Sequence, residues 1–126
     1  MFKRIDHVVI AVSDLEAANA VYSNQLGLKG REAKEVPAIG IKQIIFDLGN
    51  AFIEVAQPIT EASPLTRFLK ERGEGIYLIA IQVDDVKATA KQLRANGARI
   101  IGNEDAGGQV FVHPKSTHGV LIQLTQ

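Results

Sequence analysis

His7-Val8-Val9-Ile10-Ala11-Val12-Ser13-Asp14-Leu15 and Leu78-Ile79-Ala80-Ile81-Gln82-Val83-Asp84-Asp85-Val86 carry one pattern twice. In each, an apolar strand runs directly into an amphipathic helix, and self-similarity on this scale means one supersecondary unit used again. The first helix is expected to start at Ser13, whose hydroxyl can cap free amides, with Glu16 completing an S-x-x-E box. Its apolar stripe is Leu15, Ala18, Val21, Tyr22 and Leu26, and Gly27 suits the left-handed residue after the last turn. The second is expected to start at Asp84, with Val86, Ala90 and Leu93 as its stripe and Gly97 as its stop. A third, shorter helix without a twin reads as a bridge over 59–75. There Ser63 is the cap, Pro64 opens the first turn, Leu65, Phe68 and Leu69 are buried, and Gly73 ends it.

Outward from the helices lie strands. Gly40–Leu48 and Ala51–Ala56, separated by Gly49-Asn50, read as a hairpin. Gly108–His113 and Val120–Thr125 repeat the plan around a longer turn, Pro114–Gly119. Short strands near Leu28–Glu32 and Ala98–Gly102 complete two βαβββ modules, approximately 1–58 and 76–126, in a single domain over 1–126. Strand alternation then sorts the faces. Val8, Ile10, Val12, Ile44, Phe46, Leu48, Ile53 and Val55 should pack on the first helix. Ile79, Ile81, Val83, Val120, Ile122 and Leu124 should pack on the second. The opposite faces collect His7, Gln43, Glu54, Gln82 and Gln123 among apolar neighbours. An apolar hollow with a few convergent polar groups is the composition of a small-molecule site.

The bulk numbers exclude other classes. The 126 residues are 46% hydrophobic and 22% charged, enough for a core, and the formal net charge of zero offers no field for nucleic acid or an acidic membrane surface. There is no cysteine, which removes disulfides and thiolate metal sites and suits a cytoplasmic protein. The stretch MFKRIDHVVIAV reaches Asp6 and His7 too soon for a signal-peptide apolar core, and no apolar run spans a bilayer.

DHVVIAVSDLEAA, IIFDLGNAFIEVAQP, SPLTRFLKERGEGI, IAIQVDDVKATAKQLRANG and FVHPKSTHGVLIQL together resemble the vicinal oxygen chelate (glyoxalase/bleomycin resistance/dioxygenase) superfamily, most closely its methylmalonyl-CoA epimerases. The resemblance implies an α+β fold of tandem βαβββ modules forming a partly open mixed-sheet barrel, paired as a homodimer. It also implies a divalent cation (Co, Ni, Zn or Mn are not distinguishable) held by four side chains. By position these fall at His7, Glu54, Leu78 and Gln123. Leucine cannot ligate a metal, and glutamine offers a neutral oxygen where those epimerases have glutamate. His7, Glu54 and Gln123 are therefore the candidate ligands. Some relatives carry a glutamate where this chain has Gln43, and an amide cannot take a proton at neutral pH. Glu54 is the clearest remaining acid for catalysis, with Asp47 as a candidate near the rim.

Gln43, Gln82, Lys115 and Ser116 are candidate substrate contacts. Lys115 and Ser116 either meet an anionic group such as a CoA phosphate or sit in a solvated turn. His113 and His118 read as turn residues, and 106–108 as a flexible loop. Two functions follow: an epimerase-like, metal-dependent isomerase or lyase acting on an acyl-CoA or similar carboxylated small molecule, or a binding protein of the bleomycin-resistance kind. In the second the metal is lost and Leu78 fills its place.

Overall fold

The two helices of the repeat start with the same four hydrogen-bonding groups. Asp14 and Asp85, both extended, accept from the amides of Ala17 at 3.1 Å and Ala88 at 3.0 Å. One residue inside each helix, the amides of Leu15 and Val86 donate to the side-chain carbonyls of Gln57 and Gln126, each at 2.7 Å. Two otherwise orphaned donors are thereby satisfied at each helix start. The caps fall one residue later than Ser13 and Asp84, because both of those have other work. The Ser13 amide donates to Glu74 Oε2 at 2.9 Å, and the Asp84 carboxylate pairs with Lys3 at 3.4 Å and with the amino terminus at 3.8 Å.

The computed structural model describes residues 1–126. The first module runs β1 (Phe2–Ala11), α1 (Leu15–Ala20), β2 (Lys34–Val36), β3 (Ile41–Asp47) and β4 (Phe52–Pro58). After α2 (Pro64–Arg72) come β5 (Gly75–Val83), α3 (Val86–Ala95), β6 (Ile100–Ile101), β7 (Val110–Val112) and β8 (Ile122–Thr125). Strand order repeats as well, β2-β3-β4-β1 in the first module and β6-β7-β8-β5 in the second. Two compact units result, Val8–Tyr77 and Met1–His7 with Leu78–Gln126, so β1 and β5 each give residues to both.

In the Val8–Tyr77 unit, β3 and β4 pair antiparallel with Ile44 opposite Val55 and Phe46 opposite Ile53. That face packs with Val12 and Leu15, and Ile10, Ala18, Tyr22 and Leu28 close around it. The Tyr22 and Phe46 rings lie 5.7 Å apart. In the other unit Val83, Ala90, Val110, Val112 and Leu124 form the equivalent core, joined by Leu93 and Ile122. The bridge helix α2 has the expected cap and stop, but of Leu65, Phe68 and Leu69 only Leu65 is fully buried. Ser63 Oγ accepts from the Leu65 amide at 3.3 Å, Pro64 opens the first turn, and Gly73, at φ 79°, ends it.

Four expectations need correction. Helix α1 gives way after Ala20 to a π turn, Val21–Gln25, which rotates the stripe and leaves Val21 and Leu26 exposed. The strand expected near Leu28–Glu32 shrinks to one bridge, Gly30 to Phe46, and β2 forms later. At that bridge the Phe46 ring lies against Gly30, where a Cβ would come within 2.7 Å of its Cε1 and 2.9 Å of Ile44 Cγ2. Leu48, expected in the core, is exposed because it belongs to the tight turn, its amide donating to the Ala51 carbonyl at 2.9 Å. Val120 is likewise exposed, two residues ahead of β8.

Candidate functional site

Register decides which polar side chains share a face. Opposite the core side of the β3–β4 ladder, Gln43 pairs with Ala56, Ile45 with Glu54 and Asp47 with Phe52. Glu54 is thus diagonal to Gln43, about 7–8 Å away along the backbone and within reach of long side chains. Both are half-buried. The structure therefore brings Gln43 and Glu54 together on the face expected for them. Asp47 joins that face but is exposed and gripped from outside, Arg31 donating Nε to Oδ2 at 2.9 Å and Nη2 to Oδ1 at 3.1 Å. Asp47 is thereby engaged at the surface, and Glu54 is the more buried carboxylate on this face.

The other unit holds His7, Leu78, Gln82 and Gln123. His7 is half-buried on β1, with Nδ1 2.8 Å from Asp6 Oδ2. Gln82, on β5, accepts from Arg4 Nε at 3.1 Å, so its carbonyl is engaged within the protein. Gln123, on β8, sits between Ala80 and Phe111 in the ladder. It also lines an open cavity of about 550 Å³ with Lys87, Glu104, Gly107 and Gln109. Leu78 is 4% exposed, and Val9, Ala11, Ala56 and Ala80 from the same set of faces are buried as deeply or nearly so.

Lys115 and Ser116 occupy a 3₁₀ turn, Pro114–Ser116. Ser116 Oγ accepts from the Arg99 amide at 2.9 Å, which ties the turn to the segment before β6. Lys115 is exposed, and its amide donates to His113 Nδ1 at 3.0 Å. That role as an acceptor needs a neutral ring. Burial first, then the charges of Arg99 and Lys115, hold the His113 pKa below its ordinary 6.5. Tyr77 packs its ring edge-on against Phe68 at 5.1 Å, and burial raises its phenol pKa.

The residues were tested against a divalent cation by their chemistry. No three or more of the histidines and carboxylates gather where they could hold a metal ion. At the four family positions stand an imidazole, a carboxylate, a neutral amide and a buried hydrocarbon side chain. That set does not fit a centre of four protein ligands. Sequence reasoning overlooked Asp6, Arg4 and Gln57. The repeat held a signal for the last, since Glu54-Val55-Ala56-Gln57 and Gln123-Leu124-Thr125-Gln126 both end in the glutamine that caps a helix.

A model of the Glyoxalase/Bleomycin resistance protein/Dioxygenase superfamily matches residues 6–112. The ethylmalonyl-CoA/methylmalonyl-CoA epimerase of Cereibacter sphaeroides is 39% identical, over 100% of this chain and 99% of that one. Methylmalonyl-CoA epimerase from Mycobacterium tuberculosis superposes with a TM-score of 0.86 at 31% identity, over 98% of this chain and 87% of that one. A methylmalonyl-CoA epimerase in complex with methylmalonyl-CoA and NH4+ superposes at 0.83 with 30% identity, covering 98% and 94%.

Proposed function

Because the chain belongs to the Glyoxalase/Bleomycin resistance protein/Dioxygenase superfamily, we propose that it is an isomerase of the methylmalonyl-CoA epimerase kind. Its substrate is a carboxylated acyl-CoA, and it moves the proton on the carbon beside the thioester carbonyl. The observation that carries this reading is likeness to such epimerases along the whole chain, in sequence and in fold.

The chemistry sets the roles. Removing an α-proton leaves an enolate, so the reaction needs a base, a donor to the developing oxyanion and a proton to return. Glu54 is the base in this reading. Gln43 cannot exchange a proton but can donate its amide N–H to the enolate oxygen. Lys115, exposed on its turn, is offered to the anionic end of the coenzyme. No step is routed through a metal, given the donor set. The active species is proposed to be a homodimer.

Leu78 favours a second reading. A buried leucine at a ligand position, with Gln43 in place of an acid, suits a protein that binds the thioester without turning it over. Proton exchange from methylmalonyl-CoA in D₂O, followed by NMR beside calorimetric binding, separates the two. Exchange lost in Glu54→Gln by about 10²-fold or more supports the isomerase. Binding without exchange supports the second reading, and neither binding nor exchange sinks both.

A further inference from the structure

The cavity of about 550 Å³ beside β8 is lined by charged groups that already have partners. Lys87 Nζ pairs with Asp105 Oδ1 at 2.9 Å. The Glu104 side chain, 4% exposed, is held by the Arg94 guanidinium, which also donates Nη2 to the Gly102 carbonyl at 3.1 Å. Both pairs fasten the 103–108 loop to α3, and Gln126 Oε1 is taken by the Val86 amide. The lining leaves Gln109, Gln123 and Thr125, whose side chains enter no hydrogen bond or ion pair within the chain. Register gathers these three. β7 and β8 pair antiparallel with Val110 opposite Leu124 and Phe111 opposite Gln123. One step further in that register sets Gln109 opposite Thr125, and Gln123 and Thr125, two residues apart on a strand, share a face.

Amide and hydroxyl side chains each offer a donor and an acceptor without charge. Such a lining suits a neutral ligand that both donates and accepts. A phosphate would find no free cation, because Lys87 is paired. A nucleobase would find no stacking platform, because no lining residue is aromatic. A secondary amide meets both conditions. We propose that this cavity is the subsite for the amide-bearing arm of an acyl-CoA, the stretch between thioester and nucleotide, with Gln109, Gln123 and Thr125 as its hydrogen-bonding residues. The inference rests on the substrate class proposed above. The cavity has the volume of a small-molecule site, and its wall is open at Gly108, where an added Cβ would meet no atom within 4 Å.

The ¹⁵N-labelled full chain is titrated with pantetheine, which is the amide-bearing arm alone, and in parallel with adenosine. The side-chain amide signals of Gln109 and Gln123 are followed by NMR, with Gln109→Leu and Gln123→Leu assigning them. Pantetheine should shift both signals saturably, and adenosine should not. Gln109→Leu and Thr125→Val should each weaken pantetheine binding about 2–10-fold, the worth of one hydrogen bond. No saturable shift with pantetheine, a shift with adenosine in its place, or full affinity in both variants overturns the proposal. Should these variants not fold, Gly108→Leu decides. The φ of Gly108 lies outside the left-handed region, so a side chain is tolerated there and takes up space in the cavity. Pantetheine affinity must then fall, and an unchanged affinity is fatal. If the chain turns over methylmalonyl-CoA, Gln109→Leu should raise KM and leave kcat in place, an unchanged KM counting against the subsite. Pantetheine bound as expected, with no proton exchange from methylmalonyl-CoA, keeps the subsite and removes the isomerase. Exchange without any response to pantetheine keeps the isomerase and removes the subsite.

Discussion

Gly30 has to be glycine because the Phe46 ring occupies the space a side chain would need. Gly30→Ala should destabilise the Val8–Tyr77 unit by about 1–3 kcal/mol, the usual cost of overpacking, measured as a lowered urea midpoint at constant slope. Leu78 is the residue on which the chemistry turns. Leu78→His places an imidazole where 4% exposure now suits hydrocarbon, at a cost of about 1–3 kcal/mol unless the ring finds a partner. If the family positions converge, the variant should retain cobalt or nickel through dialysis where the parent does not. A variant that gains no cation refutes the placement of those positions. Much of this was legible in sequence: Glu54 stood out as a carboxylate within an apolar strand, and alternation set it on the face with Gln43. The grip of Arg31 on Asp47 was not legible, because 16 residues of chain separate the two and no local pattern records which arginine a carboxylate will meet.

At the scale of elements, the two helix starts are the strongest evidence that the repeat is physical. Asp14→Ala and Asp85→Ala should each cost about 0.5–2 kcal/mol, with Gln57→Ala similar for α1, read by thermal unfolding. Equal losses at Asp14 and Asp85 are expected from equal geometry. The turn before β8 should respond to acid. The folded-state pKa of His113 is lowered, so its neutral ring contributes fully above the ordinary value of 6.5, and that contribution is lost as pH falls through the lower folded value. The protection factor of the Lys115 amide, its exchange corrected for the intrinsic pH dependence, should fall over that interval, and His113→Gln should remove that fall. Periodicity located the helices to within a residue or two but did not show the π turn at Val21–Gln25. An α stripe and a π turn begin with the same residues, and in the folded chain Tyr22 of the π turn packs its ring on Phe46 of β3.

For the whole molecule, no helix is long and apolar enough to cross a membrane. Two measurements bear on the assembled protein. Sedimentation should give a species of twice the 13.6 kDa chain, and a monomer at micromolar concentration would remove the proposed dimer. Elemental analysis of protein purified without chelator should find no stoichiometric cation. A bound metal dependent on His7 would revive the metal-dependent isomerase.

What the sequence determined by itself was the βαβββ repeat, the positions of its helices to within a residue or two, the cap and stop of the bridge helix, and the alternation of faces along each strand. These depend on each residue and its near neighbours, through a period of two or 3.6 and through side chains that bond amides a few positions away. What only the tertiary structure decided was the company each polar group keeps: Gln57 at the start of α1, Arg4 between Gln82 and Asp6, and Arg31 around Asp47. Such partners are brought together by strand pairing and helix packing across long stretches of chain. A donor or acceptor withdrawn from water must take whichever complementary group the fold sets beside it.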